Sequence, residues 1–153
     1  MPLKRIVTRS MQRYWRISRG LALGVRGMTA DANGGILLVQ PSHATNWQLP
    51  GGTVEAGETV EMAIRRKLAE QTGLEIDGSP ELFGIYADLQ NSQSRHIAVF
   101  VIQSWHRPEP SKALGTPFQT AFFSADSLPP NSEPETRRRI SELLNLTPKS
   151  HNW

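Results

Sequence analysis

The stretch Leu49-Pro50-Gly51-Gly52-Thr53-Val54-Glu55-Ala56-Gly57-Glu58-Thr59, continuing through Arg65-Arg66-Lys67-Leu68-Ala69-Glu70-Gln71-Thr72-Gly73-Leu74, decides how the chain reads. Pro50-Gly51-Gly52 signals a loop, because glycine permits a backbone course that side chains block. A helix is expected from about Thr59 or Val60 to Gln71. Thr59 suits its N-cap, Glu61 the positive end of the helix dipole, and Gly73 the C′ stop. A glycine-rich loop leading into a capped helix suits a phosphate or metal site, since amides and carbonyls converge there unobstructed. At about 100° per residue, Val60, Ile64 and Leu68 form a core stripe. Lys67 and Gln71 project near its Val60 edge, and Glu70 lies just beyond, beside Ala63. Polar groups in that position are expected to line a cleft or a buried polar network.

Outward from this segment, strand and turn signals alternate. Gly20 to Met28 reads as a strand, Asp31-Ala32-Asn33-Gly34-Gly35 as a turn and Ile36 to Val39 as a buried strand, so the three are expected to make a hairpin. Residues 41–46 are loop by composition. Further strands are expected over Glu81–Leu89, His96–Trp105 and Thr120–Phe123, with a proline-containing loop over 107–117. Asn131-Ser132-Glu133-Pro134 opens a second helix, with Ser132 as its cap and an apolar stripe of Ile140, Leu143 and Leu144. Arg137, Arg138 and Arg139 are expected on its solvated face. Strands that precede, separate and follow two helices predict an α+β architecture with helices covering a largely β core.

Composition narrows the chemistry. A chain of 153 residues has the size of one domain, here taken as 1–153 with a basic segment, 1–19, packed on or flanking it. With no cysteine, disulfide scaffolds, zinc ribbons, thiol nucleophiles and iron–sulfur sites are excluded. His43, His96, His106 and His151 lack metal-ligand spacing. The run Ile97–Ile102 is far shorter than the ~20 residues that span a bilayer, and the amino terminus offers no secretory apolar core. A soluble, cytoplasmic protein without a membrane partner is expected. Lys4, Arg5, Arg9, Arg13, Arg16, Arg19 and Arg26 all precede the first acid, Asp31, which leaves the rest of the chain net negative within a formal charge of +3. That cluster reads either as a polyanion-binding patch or as a solvated face.

The decisive stretch resembles the signature box of the Nudix hydrolases, G-x5-E-x7-R-E-U-x-E-E-x-G-U with U aliphatic. Gly52, Glu58, Arg66, Leu68, Glu70, Gly73 and Leu74 match in register, and Trp47, Leu49, Pro50 and Gly51 agree with the family's common lead-in. Strand order and the Phe122-Phe123 to Leu128-Pro129 segment extend the likeness over most of the chain. The resemblance implies an α/β/α sandwich with a mixed sheet and the box as loop, helix and loop. It implies cleavage of a diphosphate linked to another moiety, typically within a nucleotide, by water assisted by Mg²⁺ or Mn²⁺. The metal would be held by helix carboxylates, among them Glu70, and by the first glycine carbonyl, that of Gly51. Glu58 and Arg66 would form the box's internal pair, more structural than chemical. Gly51, Gly52, Lys67 and Trp47 become the substrate-binding candidates, and a homodimer is a reasonable assembly.

The departures fall where the chemistry is. Two of the family's three helix glutamates are Lys67 and Gln71 here, so the trio loses its net negative charge and Glu70 alone remains. Mg²⁺ prefers carboxylate oxygen, and a protonated ammonium has no lone pair to give. The downstream stretch 115–120 carries no acid, and Glu109 and Asp126 are the nearest replacements. Three readings of the catalytic trio Lys67, Glu70 and Gln71 stay open. The Lys67 ammonium takes the metal's place, or Lys67 and Glu70 form a local ion pair in a decayed site, or metal is still held weakly by Gly51, Glu70, Glu55 or Glu58. Trp47, Tyr86 and Phe118 are candidates for stacking on a base, with core packing as the competing reading, and His96 reads as a satisfied structural histidine. The resemblance and its departures together imply a Nudix-family protein related to the pyrophosphohydrolases of nucleoside diphosphate-linked compounds, with its catalytic site impaired or altered, and with Mg²⁺ or Mn²⁺ if active and no cofactor otherwise. The alternatives are a non-hydrolytic nucleotide or diphosphate binder and a basic module that holds polyanions such as nucleic acid.

Overall fold

The computed structural model describes residues 20–90, 94–109 and 117–153; the basic segment 1–19 and residues 115 and 116 lie outside them. Strands β1 (Ala22–Thr29), β3 (Gly51–Thr53), β5 (Glu81–Asp88) and β6 (Arg95–Ile102) form a four-stranded sheet in the order β3-β1-β6-β5. The β1–β6 pair is parallel and the other neighbours are antiparallel, so the sheet is mixed. β2 (Ile36–Pro41) pairs with β8 (Phe118–Phe123), and β4 (Glu75–Ile76) with β7 (Trp105–His106). The helices are α1 (Val60–Thr72) and α2 (Pro134–Leu143).

Side chains alternate across a strand, and that alternation divides the core in two. Val25, Ala98, Phe100 and Ile102 meet Ala63, Ile64 and Leu68 of α1 in one cluster. Met28, Ile97, Val99 and Tyr86 meet Ile140 of α2 in the other, together with Leu38 and Leu49. The helices thus cover opposite faces of the sheet, the α/β/α arrangement that the resemblance implies. Among the described residues no helix is long and apolar enough to cross a membrane.

Helix α1 follows the sequence closely. Thr59 accepts a hydrogen bond from the Met62 amide, and Gly73 ends the helix at φ 72° with its N–H donated to Ala69. The expected hairpin is different. The Asp31–Gly35 turn forms, with Asp31 Oδ1 accepting from the Asn33 and Gly35 amides, but β1 and β2 share only the bridge Ala30–Ile36 before they part. The reason lies in β2: Ile36, Leu37, Leu38 and Val39 are all buried, with Leu37 in the α1-side cluster and Leu38 in the α2-side cluster. A strand buried on both faces sits between the layers rather than beside β1. β8 also starts earlier than expected, at Phe118, and Trp105 belongs to the separate short strand β7 rather than to β6.

The second helix brings two corrections. Its N-cap is Glu133, without a side-chain cap bond, because the Ser132 hydroxyl donates to the Pro129 carbonyl instead. Its buried face is Thr136, Arg139, Ile140 and Glu142, while Leu144 is 45% exposed. Arg139, expected in solvent, is completely buried. The cause is the segment after the helix, which folds back along β5: the Ala87 amide donates to His151, the Trp153 amide donates to Ala87, and Arg139 Nη1 donates to the Asn152 carbonyl.

Candidate functional site

β3 is an edge strand, and its register sets Gly51 opposite Arg26 and Gly52 opposite Val25. Gly51 has φ 154°, and a Cβ there would stand 2.0 Å from the Val25 carbonyl oxygen, so no other residue fits without moving the strand. The edge leaves the Gly51 peptide groups without a strand partner, and buried backbone groups require one. Gln71, only 7% exposed on α1, supplies it on both sides. The Gly51 amide donates to Gln71 Oε1 at 3.0 Å, and Gln71 Nε2 donates to the Gly51 carbonyl at 2.8 Å. At the next residue the Lys67 stem lies over the backbone; a Cβ on Gly52 would come within 2.8 Å of Lys67 Cε. The two helix positions that depart from the family pattern therefore rest on the two glycines.

Around them runs a chain of charges. Arg66 donates to both oxygens of Glu58, Nε to Oε1 at 2.7 Å and Nη2 to Oε2 at 2.9 Å. It also approaches Glu55 at 3.5 Å and Glu70 at 3.4 Å. The Lys67 ammonium lies 3.7 Å from Glu70, an ion-pair distance rather than a hydrogen bond. The hydrogen bond from Arg66, aided by the Glu55 amide, pulls the Glu58 carboxyl down to about 2, and the same bond raises Arg66.

A second charged group faces α2 and is not marked by the box. Arg26 donates to the Leu49 carbonyl at 2.9 Å and to Gln48 Oε1 at 3.3 Å. Burial lowers its basicity, while the Glu133 carboxylate opposes that shift and Arg95 adds to it. Burial raises the Glu133 carboxyl in turn, against the pull of Arg26. The sequence reading counts Arg26 only within the basic run. The usable signal was its place in Val25-Arg26-Gly27-Met28, a lone charge inside an apolar strand.

Other candidates are placed elsewhere. Trp47 packs edge-on against Phe123, ring centroids 4.9 Å apart, at the margin of the α2-side core. Tyr86 is buried with its hydroxyl donated to Glu142 at 2.9 Å, so it belongs to the core and offers no face to a base. Phe118 lines a cavity of about 230 Å³ with Pro41 and Gln119, between β2 and β8. His96 departs from its expectation, since its Nδ1 is buried without a hydrogen-bond partner among the described residues. Glu109 is exposed, and so is Asp126, within the short 3₁₀ turn Ala125–Ser127.

The donors around the box fit a divalent cation poorly. The Gly51 carbonyl already accepts from Gln71, Glu58 is held by Arg66, and Glu70 faces Arg66 and Lys67. Among the described residues, no three His, Asp or Glu side chains gather into a group able to hold a metal.

The NUDIX domain profile matches residues 20–144. The chain is 32% identical over 97 residues to the 8-oxo-dGTP diphosphatase of Escherichia coli, covering 60% of this chain and 71% of that protein. It is 29% identical over 128 residues to the ADP-ribose pyrophosphatase of Methanocaldococcus jannaschii, covering 82% and 75%. Among solved structures, a MutT NUDIX hydrolase from Burkholderia pseudomallei superposes with a TM-score of 0.67 at 22% identity, over 80% of this chain and 97% of that one, a likeness of fold.

Proposed function

Because this chain belongs to the NUDIX domain family, we propose that it takes a nucleoside diphosphate-linked compound at the box loop, with a catalytic site altered so that hydrolysis is impaired. One observation carries this reading: Lys67, where the family pattern has a glutamate, lies across Gly52 with its ammonium 3.7 Å from Glu70. The cation thus answers the one carboxylate left of the helix trio. In this reading Lys67, lying over Gly52, contacts the ligand's phosphates, Gly51 is held by Gln71 rather than by the ligand, Trp47, expected to bind substrate, packs on Phe123 instead, and Glu58 with Arg66 hold the loop to the helix. Loss of metal-ligand carboxylates removes both activation of water and stabilisation of developing charge.

A second reading, an active pyrophosphohydrolase using Mg²⁺ or Mn²⁺ through Glu70 with Glu55 or Glu58, draws on the relatives, which are named as a diphosphatase and a pyrophosphatase. Product release from 8-oxo-dGTP, ADP-ribose and related nucleoside diphosphate derivatives, with and without Mg²⁺ or Mn²⁺, separates the two. The natural chain is expected to turn over poorly and the Lys67→Glu, Gln71→Glu variant faster. Brisk metal-dependent turnover by the natural chain decides for the second reading. The proposed compartment is the cytoplasm and the proposed assembly a homodimer. The polyanion module rests largely on residues 1–19, outside the described residues, and would show itself as steeply salt-dependent binding that survives mutation of Lys67 and Glu70.

A further inference from the structure

We propose that Gln71 stands in for a divalent cation at Gly51, so that the box loop is assembled, and receives its diphosphate, without metal; the ligand half of this inference rests on the functional reading above. The argument begins with the direction of the Gln71 amide. Gly51 presents an N–H and a C=O side by side, and Gln71 meets them with Oε1 and Nε2 respectively, at 3.0 and 2.8 Å. Turning the amide over would set oxygen against oxygen and N–H against N–H, losing both bonds in a buried place, so Gly51 itself fixes which way it lies.

Replace that amide with a carboxylate, and one oxygen still accepts from the Gly51 amide. The other oxygen then faces the Gly51 carbonyl, two acceptors with nothing between them. Such a pair is stable when a cation sits between, which is the donor set the family's glutamate and glycine carbonyl would offer a metal. In this chain Nε2 takes the place of that second oxygen: its partly positive N–H meets the Gly51 carbonyl directly, which removes the acceptor pair a divalent ion would need there. Lys67 completes the substitution one residue on. Its ammonium makes no hydrogen bond among the described residues and is 23% exposed on its side chain, with Glu70 at 3.7 Å. Its three N–H donors are available to phosphate oxygens.

The test uses the full chain, with Mn²⁺ alone and inorganic pyrophosphate as probes. Mn²⁺ binding is read by electron paramagnetic resonance and by melting temperature, for the natural chain and for Gln71→Glu. The natural chain is expected to leave millimolar Mn²⁺ free and to melt unchanged. Gln71→Glu is expected to melt lower without metal and to regain the loss with Mn²⁺, as a ligand that binds only the folded state must produce. If the natural chain binds Mn²⁺ with micromolar affinity, Gln71 is not a substitute for the ion, whatever Gln71→Glu does. The natural-chain arm decides even if the variant does not fold. Pyrophosphate is then titrated in chelator: binding unaffected by Mg²⁺ and weakened about tenfold or more in Lys67→Ala supports the proposal, and binding only with Mg²⁺ overturns it. Absence of pyrophosphate binding under both conditions refutes the ligand reading, while the Mn²⁺ results still settle the role of Gln71.

Discussion

The guanidinium of Arg139 lies 3.9 Å from the centre of the Tyr86 ring, fully buried beneath the returning chain end. The same group holds Glu142 at 2.9 Å, and Glu142 in turn accepts from the Tyr86 hydroxyl and the Ser150 amide. Burial depresses the basicity of Arg139, and burial with the Glu142 hydrogen bond raises Tyr86 above its ordinary value. A buried pair contributes little net stability as a unit, but losing one member strands the other's charge, at a cost of about 3–5 kcal/mol. Arg139→Met is therefore expected to lower urea stability by about that much, and Arg139→Met with Glu142→Gln to recover part of it. A double-variant loss equal to the sum of the losses in Arg139→Met and Glu142→Gln alone would show that the pair is not coupled.

The Glu58–Arg66 pair sets an acid-side signature. A carboxyl at about 2 in the folded chain, against an ordinary 4.5, binds its proton less readily when folded. Its contribution is thus present above about pH 4.5 and is lost as pH falls toward 2. Glu58→Gln should melt lower than the natural chain at pH 7, and the difference should shrink steadily between pH 4.5 and 2. A difference that stays constant over that range would assign the loss to shape rather than to charge.

Local signals made much of this legible. Thr59, Gly73 and the spacing of Val60, Ile64 and Leu68 fix α1 because caps and periodicity act within a few residues. The same spacing puts Lys67 and Gln71 beside the core stripe, and they do meet Gly52 and Gly51 there. What escaped depends on contacts distant in sequence. β2 leaves its turn neighbour because β8 and both core layers claim it. Arg139 is buried because residues 151–153 cover it, and Arg26 becomes a site residue only when Leu49 and Glu133 come to it. Nor does spacing show that Gln71 pairs with a backbone peptide, since a solvated and a clasping glutamine are written alike.

Two glycines of the box loop should respond differently to alanine. Gly57 has φ 82° and open space around its would-be Cβ, so Gly57→Ala meets only the backbone penalty, about 1–2 kcal/mol. Gly51→Ala would drive a methyl into the Val25 carbonyl at 2.0 Å, which forces β3 off β1 and opens the Gln71 pair. Its loss by urea denaturation should exceed that of Gly57→Ala by at least about 2 kcal/mol. Similar losses in both would mean that β3 shifts easily at this edge.

Arg26 and Glu133 should give the opposite pH signature to Glu58. Glu133 is raised above 4.5 first by burial, then by Glu135, while Arg26 and Arg95 pull it down. A carboxyl that binds its proton more readily when folded adds stability below its unfolded value and loses it as pH rises through its folded value. Glu133→Gln, which keeps the shape without ionising, should therefore gain on the natural chain as pH rises above about 4.5, and reach its greatest advantage near neutrality. Arg26→Met removes the strongest opposing attraction, so in that background the gain from Glu133→Gln should grow. The check is a stability profile from pH 4 to 8 for the four combinations. If Glu133→Gln loses ground as pH rises, the net pull of Arg26 and Arg95 outweighs burial, and Glu133 belongs with Glu58 among the stabilising carboxylates.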